Sequence, residues 1–199
     1  MSRRGASCVH EGVATGGGAS SSELLARLRA GDAAAFTAIY EGHAALVFRF
    51  LLRLCGRREL AEDLFQETWI RFARHARTLR PDTEPRVWLY TVARNLVRSH
   101  ARWAVVDAAS VSALASWWYL EAPVTSPHEA AVAAAAARAL EQAFARLPLA
   151  GREVLVLVAV EGLALDEAAR VLGVTPEAAR QRLHRARAEL AAGLPKEEP

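Results

Sequence analysis

The sequence predicts an all-α chain, with two small helical domains joined by a flexible linker and a helix-turn-helix closing the second. Three observations carry this reading. Apolar residues recur at helical spacing almost without interruption from Ser22 to Trp103 and again from Ser126 to Leu190. Between those stretches, from Ala104 to about Thr125, the periodicity lapses. Leu163 to Leu190 then reads as two helices separated only by Gly173 to Thr175. The expected boundaries are a disordered extension over 1–21, a first domain over 22–104, a linker over 105–125, a second domain over 126–193 and a tail over 194–199.

Local signals justify each element. Residues 1 to about 20 are rich in Gly, Ser and Ala without periodicity, a composition that cannot bury enough apolar surface to fold. Ser22 to Arg29 makes a short first helix. Asp32 caps a second, Ala33 to Leu54, whose Phe36, Ile39, Tyr40, Val47, Phe50 and Leu51 supply core before Cys55 and Gly56 end it. A third helix, about Glu59 to Leu79, is apolar over half its surface through Leu60, Ala61, Leu64, Phe65, Trp69 and Phe72. Its other half lines up Glu59, Asp63, Gln66, Glu67 and Ile70. Most acidic stripes are merely solvated, but one with an apolar residue set in it also suits a basic partner helix.

Pro81 and Pro85 bracket a turn in which Asp82 or Thr83 is placed to cap a fourth helix running to about Trp103. Trp88, Leu89, Val92, Leu96 and Trp103 form its inner face, while Thr91, Arg94, Asn95, Arg98 and Arg102 point the other way. From Arg86 to Trp103 there are four Arg and no acid. A solvated face is usually mixed in sign, so this one favours phosphate contacts.

The linker carries small residues, Pro123 and a Trp117–Leu120 cluster that is either a partner's docking point or a local staple. Fully extended, its length reaches roughly 75 Å, enough to hold two DNA-binding units on well-separated sites. Ser126–Pro127–His128–Glu129 forms a capping box that opens an Ala-rich helix to about Leu147, and Pro148 stops it. The run from Gly151 to Gly162 is apolar on every side at its centre and reads as a buried helix beneath the helix-turn-helix.

In that last motif Gly173 can close the first helix in the left-handed conformation. Thr175 then caps the second, with Pro176 at its first position and Glu177 at the positive end of its dipole. At 100° per residue, Ala179, Leu183, Ala186 and Leu190 share one inward stripe. Glu177, Arg180, Gln181, His184 and Arg185 fall on the other side, and Arg and Gln so placed are what reading base edges in a major groove requires. An ordinary helical hairpin with a basic face is the plainer alternative.

Composition narrows the function classes. The formal charge of +3 is mild, so any nucleic-acid footprint rests on local clustering. Cys8 and Cys55 make no disulfide framework and suit a reducing, cytoplasmic setting. The sequence shows no run of 18 uncharged apolar residues and no signal-peptide core, so no membrane insertion is expected. Catalytic constellations are missing too: no phosphate-binding loop with Lys, no CxxC and no HExxH, and the histidines are scattered singly. Cys8 and His10 are too few for a metal site, so neither an enzyme nor a cofactor or metal protein is expected.

Three blocks converge on a family. RRELAEDLFQETWIRFARH, EPRVWLYTVARNLVRSHARW and LARLPLAGREVLVLVAVEGLALDEAARVLGVTPEAARQRLHRARAEL together resemble an extracytoplasmic-function sigma factor of bacterial RNA polymerase, of the sigma-seventy family. The likeness covers about Asp32 to Trp103 and Ala137 to Leu190, in the family's order. It implies a subunit that directs core RNA polymerase to promoter DNA. Asp63, Gln66, Glu67 and Ile70 take the family's core-polymerase contact. Asn95 meets a base of the minus-ten element, with Arg94, Arg98 and Arg102 on phosphates, and the loop from Thr78 to Arg86 helps accommodate an unstacked base. Arg180, Gln181 and Arg185, flanked by Thr175, Glu177 and His184, read the minus-thirty-five element. The family is commonly restrained by an anti-sigma factor, a partner expected here as well.

Two departures stand out. Family members often carry a small hydroxyl residue and Lys where this chain has Ala178 and Arg180, and Ser in place of Gln181. Gln can bond adenine in a bidentate way, so the upstream preference is expected to differ. Two other classes compete: a helix-turn-helix regulator that needs no polymerase, which leaves the first domain's faces unexplained, and a sigma-like protein that sequesters regulators, which needs no base-reading residues.

Overall fold

The computed structural model describes residues 20–103 and 126–195, with the side chains of 102–103 and 127–130 excepted. The expectations for the N-terminal extension (with Cys8 and His10), the linker with its Trp cluster, the capping box at Ser126–Glu129, the Arg102 side chain and the last tail residues lie outside the described residues. Among the described residues every regular element is helical.

Four helices build the first half. In α1 (Ser21–Arg29), Ser20 accepts from the Glu23 amide at 3.2 Å. In α2 (Ala33–Cys55), the Asp32 carboxylate accepts from the amides of Ala34 and Ala35, and Gly56 closes the end at φ 67°. That φ is left-handed backbone, which glycine adopts without a Cβ penalty. Next come α3 (Arg58–His75), a 3₁₀ turn (Ala76–Thr78) and α4 (Pro85–Trp103). The expected cap of α4 at Asp82 or Thr83 is corrected: the helix starts at Pro85, and both Asp82 carboxylate oxygens pair with the Arg80 guanidinium instead. Rings of Phe36, Tyr40, Phe65, Trp69, Phe72 and Trp88, with centroids 4.7–6.3 Å apart, tie α2, α3 and α4 together.

α2 is also long and apolar enough to cross a membrane, with a mean hydropathy of 1.2 over its best window. Its Ile39, Val47, Phe50 and Leu51 are almost fully buried against neighbouring helices, which is how the core helix of a folded domain comes by such a composition.

The second half holds α5 (Pro127–Arg146), α6 (Leu149–Leu155), α7 (Leu165–Leu172) and α8 (Pro176–Ala192). The expected all-round apolar helix is α6, but its last turn widens into a π segment, Val156–Val160, closed by a bond from the Glu161 amide to the Val156 carbonyl at 2.9 Å. Gly162, at φ 66°, turns the chain towards α7.

The two halves share one contiguous core running from Leu25 to Ala186. α4 packs on α7, and α6 with its π segment packs on α2. The linker is long enough to hold two DNA-binding units on well-separated sites, and in this structure the helices expected to read DNA lie in one packed body.

Candidate nucleic-acid interface

The helix-turn-helix is built as its sequence dictates. α7 ends at Gly173, whose φ of 64° suits a residue without a Cβ. The Thr175 hydroxyl then accepts from the Ala178 amide at 3.2 Å, and Pro176 starts α8. Ala179, Leu183 and Ala186 are buried and Leu190 is half-buried, which fixes the rotation of α8. Thr175, Glu177, Arg180, Gln181, His184 and Arg185 are in consequence all exposed. Glu177 receives a contact from the Arg180 guanidinium and lies 3.4 Å from Gln181 Nε2. One carboxylate therefore orders the two side chains best suited to base edges.

On α3 the predicted stripe faces solvent. Asp63 and Gln66 are exposed, and Glu67 pairs with Arg71 at 2.7 Å. Ile70 is 44% exposed, a large apolar side chain left uncovered beside acids. The aromatic cluster beneath, through Phe65, Trp69 and Phe72, holds the stripe outward.

α4 divides its predicted face. Asn95 and Arg98 are exposed as expected. Arg94 is not: it is 6% exposed and turned into the seam between the halves. Its Nε lies 3.2 Å from Glu153 Oε1, and its Nη1 is 3.4 Å from the Val171 carbonyl. Burial lowers the guanidinium's pKa, and Glu153 works in the opposite direction. Arg98 Nη1 reaches the other Glu153 oxygen at 3.7 Å. Neither contact to Glu153 has hydrogen-bond alignment, so the carboxylate is held as an ion pair.

A second polar set lies along the same seam. Glu161 accepts from Arg53 Nη1 at 2.9 Å and from the Tyr90 hydroxyl at 2.7 Å, and its carbonyl accepts from Arg86. Sequence reasoning missed these residues. The available signal was Glu153 and Glu161, the two carboxylates that bracket a run apolar on all sides, since charges buried there demand cationic partners.

Neither the α4 face nor the α8 face brings together the nucleophile, base and cleft that catalysis requires, and no cluster of potential metal ligands occurs among the described residues. What the two faces offer is guanidinium groups for phosphates and amide-bearing side chains for bases.

Comparison with known proteins gives this arrangement its family. Residues 39–104 match Sigma-70 region 2, and residues 137–190 match Sigma-70 region 4. The chain is 32% identical over 156 residues to the ECF RNA polymerase sigma factor SigL of Mycobacterium tuberculosis, an alignment covering 78% of this chain and 86% of SigL. It is 30% identical over 184 residues to the ECF RNA polymerase sigma factor BldN of Streptomyces coelicolor, covering 87% of this chain and 65% of BldN. Among solved structures, CnrH in complex with the cytosolic domain of CnrY superposes with a TM-score of 0.64 at 26% identity, covering 86% of this chain and 95% of that one. RpoE of Bartonella quintana, solved with the anti-sigma factor NepR, shares the fold at a TM-score of 0.61 and 19% identity, over 82% of this chain and 98% of that one. The chain belongs to the extracytoplasmic-function sigma factors of the sigma-70 family, the promoter-specificity subunits of bacterial RNA polymerase.

Proposed function

We propose that the chain divides this work among three faces and acts by binding alone, with no turnover of its own, in the cytoplasm. α3 takes core polymerase through Asp63, Gln66, Glu67 and Ile70, the acidic stripe supplying charge and Ile70 the apolar anchor. α4 takes the minus-ten element, with Asn95 on a base and Arg98 and Arg102 on phosphates; Arg94, buried against Glu153 in this structure, meets a phosphate only where that contact is given up. α8 takes the minus-thirty-five duplex through Arg180, Gln181 and Arg185, with Thr175, Glu177 and His184 around them. The domain division is that of the sequence, 22–104 and 126–193.

The observation that carries this reading is the rotation of α8, whose buried Ala179, Leu183 and Ala186 leave an Arg- and Gln-bearing face free at the start of the helix. A regulator acting without polymerase leaves the exposed Ile70 and its acidic surround without a role. An anti-sigma partner is inferred from the RpoE relative, which was solved with one. Run-off transcription with core polymerase on a set of promoters tests the whole assignment. Specific initiation is expected; tight duplex binding by the chain alone, with no transcript from any core, refutes it.

A further inference from the structure

Arg29 and Arg77 flank the junction where α1 packs on the 3₁₀ turn after α3, and no carboxylate among the described residues pairs with either. We infer that these two guanidinium groups hold backbone phosphates of the single strand just downstream of the minus-ten element. Their placement on that strand rests on the reading of α4 as the minus-ten face.

The corner leaves both cations unspent. Asp32, the carboxylate nearest to Arg29 in the sequence, is used twice. One oxygen caps α2 through the amides of Ala34 and Ala35, and the other takes Arg27 Nε at 2.8 Å. Beyond the 3₁₀ turn, Asp82 is taken by Arg80 at 3.1 Å. Arg77 is exposed, and its guanidinium reaches back over Gly31, with Nη2 and Cζ 3.0 and 3.6 Å from where a Cβ at that position would project. Gly31 has a φ of 90°, a conformation that residues with a Cβ rarely adopt. The turn between α1 and α2 is thus bare backbone with Arg77 lying across it. Arg29 follows Leu25 by one helical turn, so its stem is half-buried on the inward side of α1, and its enclosed Nε meets no acceptor.

The negative end of the α1 dipole favours a cation, but Arg27 already sits there with Asp32 as its partner. Two further guanidinium groups add like charge with nothing to balance it. In a chain whose formal charge is only +3, an excess of two at one corner is a concentration that a polyanion balances. Guanidinium donors match the paired oxygens of a phosphodiester in geometry as well as in charge.

Position along α4 selects the phosphates. The helix runs 19 residues, Pro85–Trp103, about 28 Å at 1.5 Å per residue. Its C-terminal end continues into the 104–125 segment, which leads to the half assigned to the minus-thirty-five duplex, so that end faces upstream. Its N-terminal end follows the loop from Thr78 to Arg86, and the 3₁₀ turn lies immediately before that loop. A strand read along α4 in the downstream direction therefore leaves past the 3₁₀ turn, over Arg77 and Arg29.

The test uses holoenzyme assembled from core polymerase with the parent chain or an Arg29→Gln, Arg77→Gln variant, on two fork-junction DNAs from a promoter that supports run-off initiation. In one fork the non-template strand ends at the last base of the minus-ten element; in the other it continues six nucleotides downstream. Fluorescence polarisation should give both holoenzymes the same affinity for the short fork. On the long fork the variant's log–log salt slope should be shallower by about 1.4, the share of two single-strand phosphates. The parent's advantage there should shrink about sevenfold as salt rises fourfold. Equal slopes on the long fork overturn the inference, and so does an equal loss on both forks, which marks a damaged fold. Arg77→Lys keeps a point charge for a phosphate and should retain most of the gain that Arg77→Gln loses. A Lys variant as defective as the Gln variant overturns the phosphate contact and leaves Arg77 a packing role over Gly31. Asn95→Ala should weaken both forks alike; if it weakens neither, the minus-ten reading of α4 falls, and the placement of Arg29 and Arg77 on that strand falls with it.

Discussion

Tyr90 and Glu161 meet across the seam between the two halves of the chain, the phenol donating to Glu161 Oε2 at 2.7 Å. Tyr90 is 1% exposed and its ring packs edge-on against Phe50, with centroids 4.9 Å apart. Burial raises the phenol's pKa well above its ordinary value near 10, and the charge of Glu161 raises it further. The folded state therefore holds its proton more tightly than the unfolded state does. The corresponding stability is fully present below pH 10 and is lost as pH climbs above it. Tyr90→Phe removes that loss but leaves a buried carboxylate oxygen short of a donor, at a cost of about 1–3 kcal/mol at pH 7. Denaturant melts at neutral and alkaline pH should show the gap between parent and variant shrinking above about pH 10. A gap that stays constant with pH argues against the buried phenol.

Cys55 stands near the same seam, at the end of α2. Burial pushes its thiol up to about 12, against a smaller opposing pull from the Arg152 guanidinium. The thiolate is the reactive form, so at pH 8 its population is roughly a thousandfold below that of an open thiol. In a Cys8→Ser chain, iodoacetamide should leave Cys55 nearly unmodified while the protein is folded and label it readily in denaturant. Because the folded value is raised, Cys55 favours the folded state fully below pH 9 and progressively less from there towards pH 12. Rapid labelling of the native chain at pH 8 would contradict this placement.

Thr175 has a structural duty separable from its position on the DNA-facing side. Its hydroxyl is the side-chain cap of α8, accepting from the Ala178 amide at 3.2 Å. Thr175→Ala should cost about 0.5–2 kcal/mol, whereas Thr175→Ser should keep the cap and most of the stability. Thermal melts decide the capping role: equal stabilities for the Ala and Ser variants would remove it. Duplex binding by the Ser variant then reports any contact made by the methyl group.

Much of this architecture was legible because helices announce themselves locally. The start of α2 at Ala33 follows from Asp32 one residue before it, and the turn before α8 follows from Gly173, Thr175 and Pro176 in sequence. The outward face of α8 was readable for the same reason, since Ala179, Leu183 and Ala186 fix the helix rotation without reference to any distant residue. Arg94 shows where such reasoning ends. It lies on the basic face of α4, but its burial depends on Glu153 arriving from another helix, and helix periodicity carries no information about that meeting. The start of α4 failed for a nearer cause: Arg80 captures Asp82, leaving Pro85 to open the helix. The π turn, too, is invisible to a period of 3.6, and it places Glu161 against the first half.

The division of labour between α3 and α8 yields the sharpest mutational contrast. Arg180 is tied on the surface to Glu177, and exposed pairs of this kind are worth only about 0–1 kcal/mol. DNA can therefore recruit the guanidinium at little cost, and the pair serves to hold it extended beforehand. Arg180→Ala should weaken binding to the cognate minus-thirty-five duplex by about 1–3 kcal/mol and relax selectivity at one base pair. Gln181→Ala should relax selectivity at its own base pair, with adenine the base most affected. Asp63→Ala lies on another face, so duplex affinity should be unaltered while association with core polymerase falls. Asp63 carries a charge exposed to solvent, and its effect should fade as salt rises. Gel-shift titration on duplex DNA and a polymerase pull-down at two salt concentrations measure the two arms separately. Equal losses in both assays for the Arg180 and Asp63 variants would mean that the faces do not act independently, and that promoter reading and polymerase binding pass through one shared surface.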